Sequence, residues 1–214
     1  MLTAFYVLFT ALFAWLTWQS WEVYKSKRLS YALLLLLVLV GLTYDALIIL
    51  LGRFIGAGDL LQALNAGRFI IHGLVTPVII IFGFGVLRHA GVGWAQSRTN
   101  HIIVCVFTTL LIGLGVYEDI LELDLHLRTV MDTVRYVNEG GLPGPPIPSI
   151  LAIIFLIVAG LSLWRQTGWK WLAVGSILMF IFAGAGVGDR FYIGNIGEII
   201  FSVANIWTAR KFLT

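Results

Sequence analysis

The sequence predicts an all-α polytopic membrane protein, a single bundle of seven transmembrane helices over residues 1–214, and three observations predict it. Of its residues 59% are hydrophobic and only 12% are charged, roughly half the charged fraction of a soluble domain. Apolar runs able to cross about 30 Å of hydrocarbon at 1.5 Å per residue recur seven times. The basic residues gather at alternate ends of those runs, as the positive-inside rule requires. No water-soluble core would hide this much apolar surface, so the soluble classes are excluded. The net charge of +3 does not indicate nucleic acid, because the basic residues sit at helix ends.

The expected spans are Thr3–Trp21, Ser30–Phe54, Gly67–Leu87, Asn100–Tyr117, Pro148–Trp164, Trp169–Val187 and Phe191–Ala209. The first lacks a basic leader and ends in Trp-Gln-Ser-Trp, not in a small-residue cleavage site, so it reads as a span and not as a removable signal. With the N-terminus outside, the inner loops and tail hold Lys25, Lys27, Arg28, Arg88, Arg98, Arg165, Lys170, Arg210 and Lys211, with Glu22 as their one acid. The expected topology is therefore N-out and C-in. Trp18, Trp21, Trp94, Trp164, Trp169, Trp171 and Trp207 fall near the same inner boundary, as an interfacial belt does. A prokaryotic plasma membrane is the expected location. The one cysteine, Cys105, lies within an apolar run and reads as packing; it rules out an internal disulfide.

The one long connection, Glu118 to Ile147, joins spans four and five. Asp124, Arg128 and Asp132 follow an i,i+4 spacing continued by Arg135 and Glu139, and Leu127, Val130, Val134 and Val137 supply an apolar side. This predicts an amphipathic helix on the outer surface, stopped by Gly140-Gly141 and Pro143. The Leu121–Leu127 stretch also alternates with period two, which is the signature of a strand. The Pro-rich run from Gly141 to Pro148 reads as a stiff extended turn into the fifth span.

Polar residues inside the spans carry the functional signal. In the last span Asn195, Glu198, Ser202 and Asn205 fall within roughly an 80° arc at 100° per residue, one polar stripe on an apolar helix. A carboxylate there cannot face lipid at low cost. Asp45 in the second span lies at similar depth, and His72 in the third lies further out with Arg68 one turn beyond. Tyr44, Asp45, Arg68, His72, Thr76, Asn195 and Glu198 are thus expected to converge in the outer half of the bundle, which makes a polar cavity closed toward the cytoplasm. The plainer readings are that Asp45 pairs with Arg68 or Arg53 to hold helices in register, that Arg68 snorkels to headgroups, and that Asn205 bonds helix to helix. Pro77 is expected to kink the third span beside the cluster.

The expected function is an intramembrane, hydrolase-like enzyme acting on a lipid-like substrate. Asp45, His72 and Glu198 are its candidate catalytic acid and base groups, and Tyr44, Arg68, Thr76 and Asn195 its candidate substrate-binding residues. Thr76 is also a candidate nucleophile. Membrane lipids are the expected partners; no cofactor is indicated and the oligomeric state is not readable. Two other classes fit the same residues. A proton- or cation-coupled transporter or channel would use Asp45 and Glu198 as titrating groups, but the apolar inner half gives it no second exit. A non-catalytic receptor or assembly subunit would use the cluster as glue. No lysine sits within the last span for a retinal, and His72, His89 and His101 lie at the wrong depths for a bis-histidine haem. A zinc site of His72, Asp45 and Glu198 is chemically admissible, although no metal is expected.

Overall fold

The computed structural model describes residues 1–142 and 146–214. In chain order the helices are α1 (Leu2–Lys27), α2 (Ser30–Ile55), α3 (Asp59–Val75), α4 (Ile79–His89), α5 (Gly93–Gln96), α6 (Arg98–Val116), α7 (Ile147–Thr167), α8 (Trp171–Ala185) and α9 (Phe191–Leu213). Between α6 and α7 lies a hairpin of β1 (Leu125–Val130) and β2 (Thr133–Asn138). Five helical stretches are long and apolar enough to cross a membrane: α1, α2, α3 continued through α4 (Asp59–His89), α6 with its final turn (Arg98–Leu121), and α7. Of the last two helices, α8 is apolar but only 15 residues long, and α9 is diluted by its polar stripe. The molecule is a helical membrane protein.

The third apolar stretch breaks where the sequence places Pro77. A 3₁₀ turn at Thr76–Val78 separates α3 from α4, since the proline ring donates no N–H to the preceding turn. Below the break α4 is buried on every side, from Ile79 and Ile80 through Phe82, Phe84, Val86 and Leu87. The α2 ring of Tyr31 and the α7 side chain of Leu156 close on Gly85 and Gly83, where a Cβ would lie 2.2 and 2.8 Å from them. This plug fills the core of the basic end of the bundle. Trp18, Trp21, Trp94, Trp164, Trp171 and Trp207 stand exposed around it.

The connection after α6 corrects the sequence reading. A surface amphipathic helix was the expectation for 124–139; the structure forms an antiparallel hairpin instead, with Arg128 opposite Arg135 and Val130 opposite Thr133. The i,i+4 charges were a coincidence of spacing, because in a strand neighbours alternate faces. His126, Arg128, Val130, Thr133, Arg135 and Val137 share one face, whereas Leu127 and Val134 lie on the other. β-branched residues at 129, 130, 133, 134 and 137 favour the extended form, and the Met131-Asp132 turn reverses the chain, with Met131 at φ 53°. Of the Pro-rich turn, residues 143–145 lie outside the described residues, and with them the expected helix stop at Pro143.

The hairpin is tied to the bundle at four places. Asp132 accepts from the Leu2 and Thr3 amides and from Arg53 Nη1 at 2.6, 3.2 and 2.7 Å. Tyr136 Oη accepts from the Gly58 amide at 3.2 Å, and Asn138 Nδ2 donates to the Glu118 carbonyl at 2.9 Å. Val134 rests its carbonyl on Gly52 of α2, where no side chain has room. These bonds hold β1–β2 as a roof over the end of the bundle opposite the α4 plug.

Candidate functional site

Beneath that roof is a cavity of about 810 Å³. Its walls come from α2 (Asp45), α3 (Arg68, His72), the 3₁₀ turn (Thr76), the end of α6 (Glu118, Asp119), the hairpin (Arg128, Arg135), the start of α7 (Ser149) and α9 (Asn195, Glu198). Val38, Ile49, Ile79, Ile153, Met179 and Phe201 add apolar surface. The volume is that of pockets which hold ligands of a few hundred daltons.

Six of the seven sequence-predicted site residues line this one cavity: Asp45, Arg68, His72, Thr76, Asn195 and Glu198. Tyr44 does not. One residue before Asp45 means a rotation of about 100° around the helix, which turns its ring onto α3, where Oη donates to the Leu64 carbonyl at 3.0 Å. Asp45 accepts a 2.8 Å bond from Arg68 Nε, so the buried guanidinium has its carboxylate. Arg68 Nη1 also donates to Asn65 Oδ1 at 2.7 Å, and Asn65 is anchored to the Leu61 carbonyl at 2.7 Å. On α9, Tyr6 Oη donates to Asn195 Oδ1, and Asn195 Nδ2 donates to Glu198 Oε2 at 2.8 Å. All three predicted catalytic groups are engaged in hydrogen bonds, Asp45 with Arg68, Glu198 with Asn195 and His72 with Asp119 and Ser149. Among the described residues no three His, Cys, Asp or Glu side chains are grouped to hold a metal ion, so the His72, Asp45 and Glu198 set is not assembled as a ligand shell.

His72 has partners that sequence reading did not assign to it. Its Nδ1 lies 3.2 Å from Asp119 Oδ2, and its Nε2 lies 3.1 Å from Ser149 Oγ. A carboxylate, an imidazole and a hydroxyl are thus joined in one line, with the imidazole bonded through both ring nitrogens. The junction is made by glycine. Gly73 follows His72 directly, Gly115 precedes Asp119 by one turn, and a Cβ on either would lie within 2.7 Å of the other's carbonyl oxygen. The α3 and α6 backbones touch at that pair, which is what brings Asp119 within reach of the ring. Ser149 is the third residue of α7, in a first turn whose N–H groups have no intrahelical acceptor.

The hairpin supplies the remaining cavity charges. Arg128 Nη2 bonds Glu139 Oε1 at 3.3 Å. Arg135 Cζ lies over the Phe191 ring, 3.5 Å from its centre. Burial, aided by the neighbouring Arg68, pushes its pKa down to about 10, and it stays protonated at neutral pH. Ser149 and Arg135 were missed because the signals that place them are long-range: the period-two pattern at 121–127 and the β-branched residues of 129–137 hint at strands but not at what the hairpin covers. No known family model matches the chain, and no curated protein matches it.

Proposed function

We propose that this protein is a membrane-embedded serine hydrolase acting on a lipid-like substrate, with Ser149 as nucleophile, His72 as general base and Asp119 as the group that orients the imidazole. One observation carries the reading: the hydrogen-bonded line Asp119–His72–Ser149 on the wall of a cavity lined by polar and, more extensively, apolar side chains. Roles and geometry identify such a constellation, whatever fold or chain order presents it. In this chemistry His72 Nδ1–H donates to Asp119 and leaves Nε2 free to accept the Ser149 proton. Oγ then attacks the ester carbonyl, the leaving alcohol takes the proton from Nε2, and a water molecule repeats the cycle to release the acid and restore Ser149. The first-turn amide of Ser149 and the positive end of α7 favour the developing oxyanion. Val38, Ile49 and Ile153 offer apolar surface to the substrate's hydrocarbon.

In this reading Asp45 positions Arg68 and Asn195 positions Glu198, so neither acid shuttles protons in the reaction. The topology belongs to the same proposal. All seven apolar helices cross, α8 and α9 included, with the N-terminus outside and the C-terminus in the cytoplasm, and the roofed cavity opens away from the cytosol in a plasma membrane. The chain works through membrane lipids and without a nucleic acid partner.

The test is covalent labelling of the detergent-solubilised full chain with a fluorophosphonate, read by intact mass and peptide mapping. The expected result is one adduct on Ser149, absent in Ser149→Ala and slowed by on the order of 10³-fold in His72→Ala. Hydrolysis of a medium-chain acyl ester should fall in parallel while both variants remain monodisperse. An unlabelled Ser149 in folded protein, or unchanged ester hydrolysis in Ser149→Ala, sinks the assignment.

A further inference from the structure

We infer that Arg135 is an anion-binding residue and that the substrate taken by this cavity carries an oxyanion group, phosphate or carboxylate, at the end held under the hairpin. The inference deepens the hydrolase reading of the same cavity and rests on it for the word substrate. Three observations lead there.

First, the strand register sets Arg128 directly opposite Arg135 on the cavity face of the hairpin. Like charges in opposed positions weaken a strand pair unless something compensates them. Glu139 compensates Arg128, and Asp45 compensates the nearby Arg68. Second, among the described residues no carboxylate lies within salt-bridge distance of Arg135, and its Nε is buried without any hydrogen-bond partner. A buried donor on a cation left without an acceptor is costly, and the structure keeps it so at the cavity wall. Third, the Phe191 ring holds the guanidinium, with Arg135 Cζ 3.5 Å from the ring centre, and Tyr6 stacks with the same ring at 5.9 Å. With Nε closed off from solvent, the terminal Nη groups of this cavity-lining residue are the ones that meet an oxyanion in bidentate fashion.

The acids of the cavity do not fill this role. Asp45 is taken by Arg68, Asp119 by His72, Glu139 by Arg128 and Glu198 by Asn195, and Glu118 sits beside Asp119 at the end of α6. A ligand with an anionic head and an apolar body would meet Arg135 under the roof and the apolar walls below.

The experiment measures binding without turnover, in Ser149→Ala full chain reconstituted in nanodiscs, with decyl phosphate, decyl maltoside and inorganic phosphate as probes. Decyl phosphate is expected to bind at least tenfold tighter than decyl maltoside. Arg135→Gln should erase that preference, leaving decyl maltoside binding unchanged, and Arg135→Lys should keep part of it. Inorganic phosphate should bind at least tenfold more weakly than decyl phosphate, because it has no apolar body. Equal binding of the two decyl probes overturns the inference, and this comparison needs only the parent chain, so it decides even if Arg135→Gln does not fold. Undiminished decyl phosphate binding in folded Arg135→Gln overturns it too, and inorganic phosphate binding as tightly as decyl phosphate reassigns the site to a free ion and overturns the lipid source. Failure of the labelling at Ser149 would leave each of these readouts standing, so the two ideas can fail separately.

Discussion

His72 is bonded at both ring nitrogens, and that fixes what its neighbours are able to do. Asp119 at 3.2 Å selects the tautomer with hydrogen on Nδ1, which is the one that leaves Nε2 an acceptor for Ser149. Asp119→Asn keeps size and removes the charge, so the ring loses its preferred tautomer while the packing stays. The expected outcome is a kcat lower by on the order of 10³-fold with little change in KM or melting temperature, measured on the same ester as Ser149→Ala. Asp45 predicts the opposite signature. It serves a buried arginine, so Asp45→Ala leaves Arg68 uncompensated except by Asn65. Losing one partner of a buried pair costs about 3–5 kcal/mol. With a carboxylate that is 30% exposed, roughly 2–3 kcal/mol is the expected loss here, read as a lower thermal midpoint in detergent. A collapse of kcat in stable Asp45→Ala would instead return Asp45 to the chemistry.

At the scale of elements, the site depends on where α3 meets α6. Gly73 and Gly115 let two backbones touch, and Pro77 denies an N–H to the turn in which the Gly73 carbonyl lies. A methyl on Gly115 would sit 2.5 Å from that carbonyl oxygen, with backbone on both sides and no flexible side chain to yield. Gly115→Val is therefore expected to drive the helices apart, lengthen His72–Asp119 and cut kcat at least tenfold, although it changes no group of the proposed chemistry. The check is the ester assay beside the fluorophosphonate labelling rate, and an undiminished rate in folded Gly115→Val removes the crossing from the argument. This element also shows what sequence made legible. Apolar runs, Pro77 and the α9 stripe are local patterns, and each marks its own helix. The hairpin misled because Asp124, Arg128 and Asp132 satisfy helical spacing while the residues between them prefer strands, and the competition is settled by pairing across the turn. Asp119 and Ser149 were illegible as partners of His72 for a related reason: Asp119 reaches it through the Gly73–Gly115 crossing and Ser149 from the start of α7, both far away in sequence.

For the molecule as a whole, the decisive property is that the cavity of about 810 Å³ lies at the hairpin end, whereas α4 fills the core of the basic end. The α4 plug, with Phe82, Phe84 and Leu87 fully buried, fills the basic end, and the cavity stops at Ile79 and Phe201 beneath the hairpin. A conducting or alternating-access protein needs a wet path through both halves, whereas a hydrolase needs only one mouth and an apolar floor. The proposed topology gives that mouth its side from charge. Lys25, Lys27, Arg88, Arg98, Arg165, Lys170, Arg210 and Lys211 mark the plugged end, and such loops are retained in the cytoplasm. The hairpin should then face outward. Met131 at its tip is 69% exposed and touches none of the cavity chemistry, so Met131→Cys in a Cys105→Ala background reports its side of the membrane. In intact cells a membrane-impermeant maleimide is expected to label Met131→Cys fully and Lys211→Cys only after permeabilisation. The reverse pattern would turn the bundle over and place the mouth of the cavity in the cytosol. The Ser149 chemistry would survive that result, but its substrate would have to come from the inner leaflet, so this one labelling experiment decides which leaflet feeds the site.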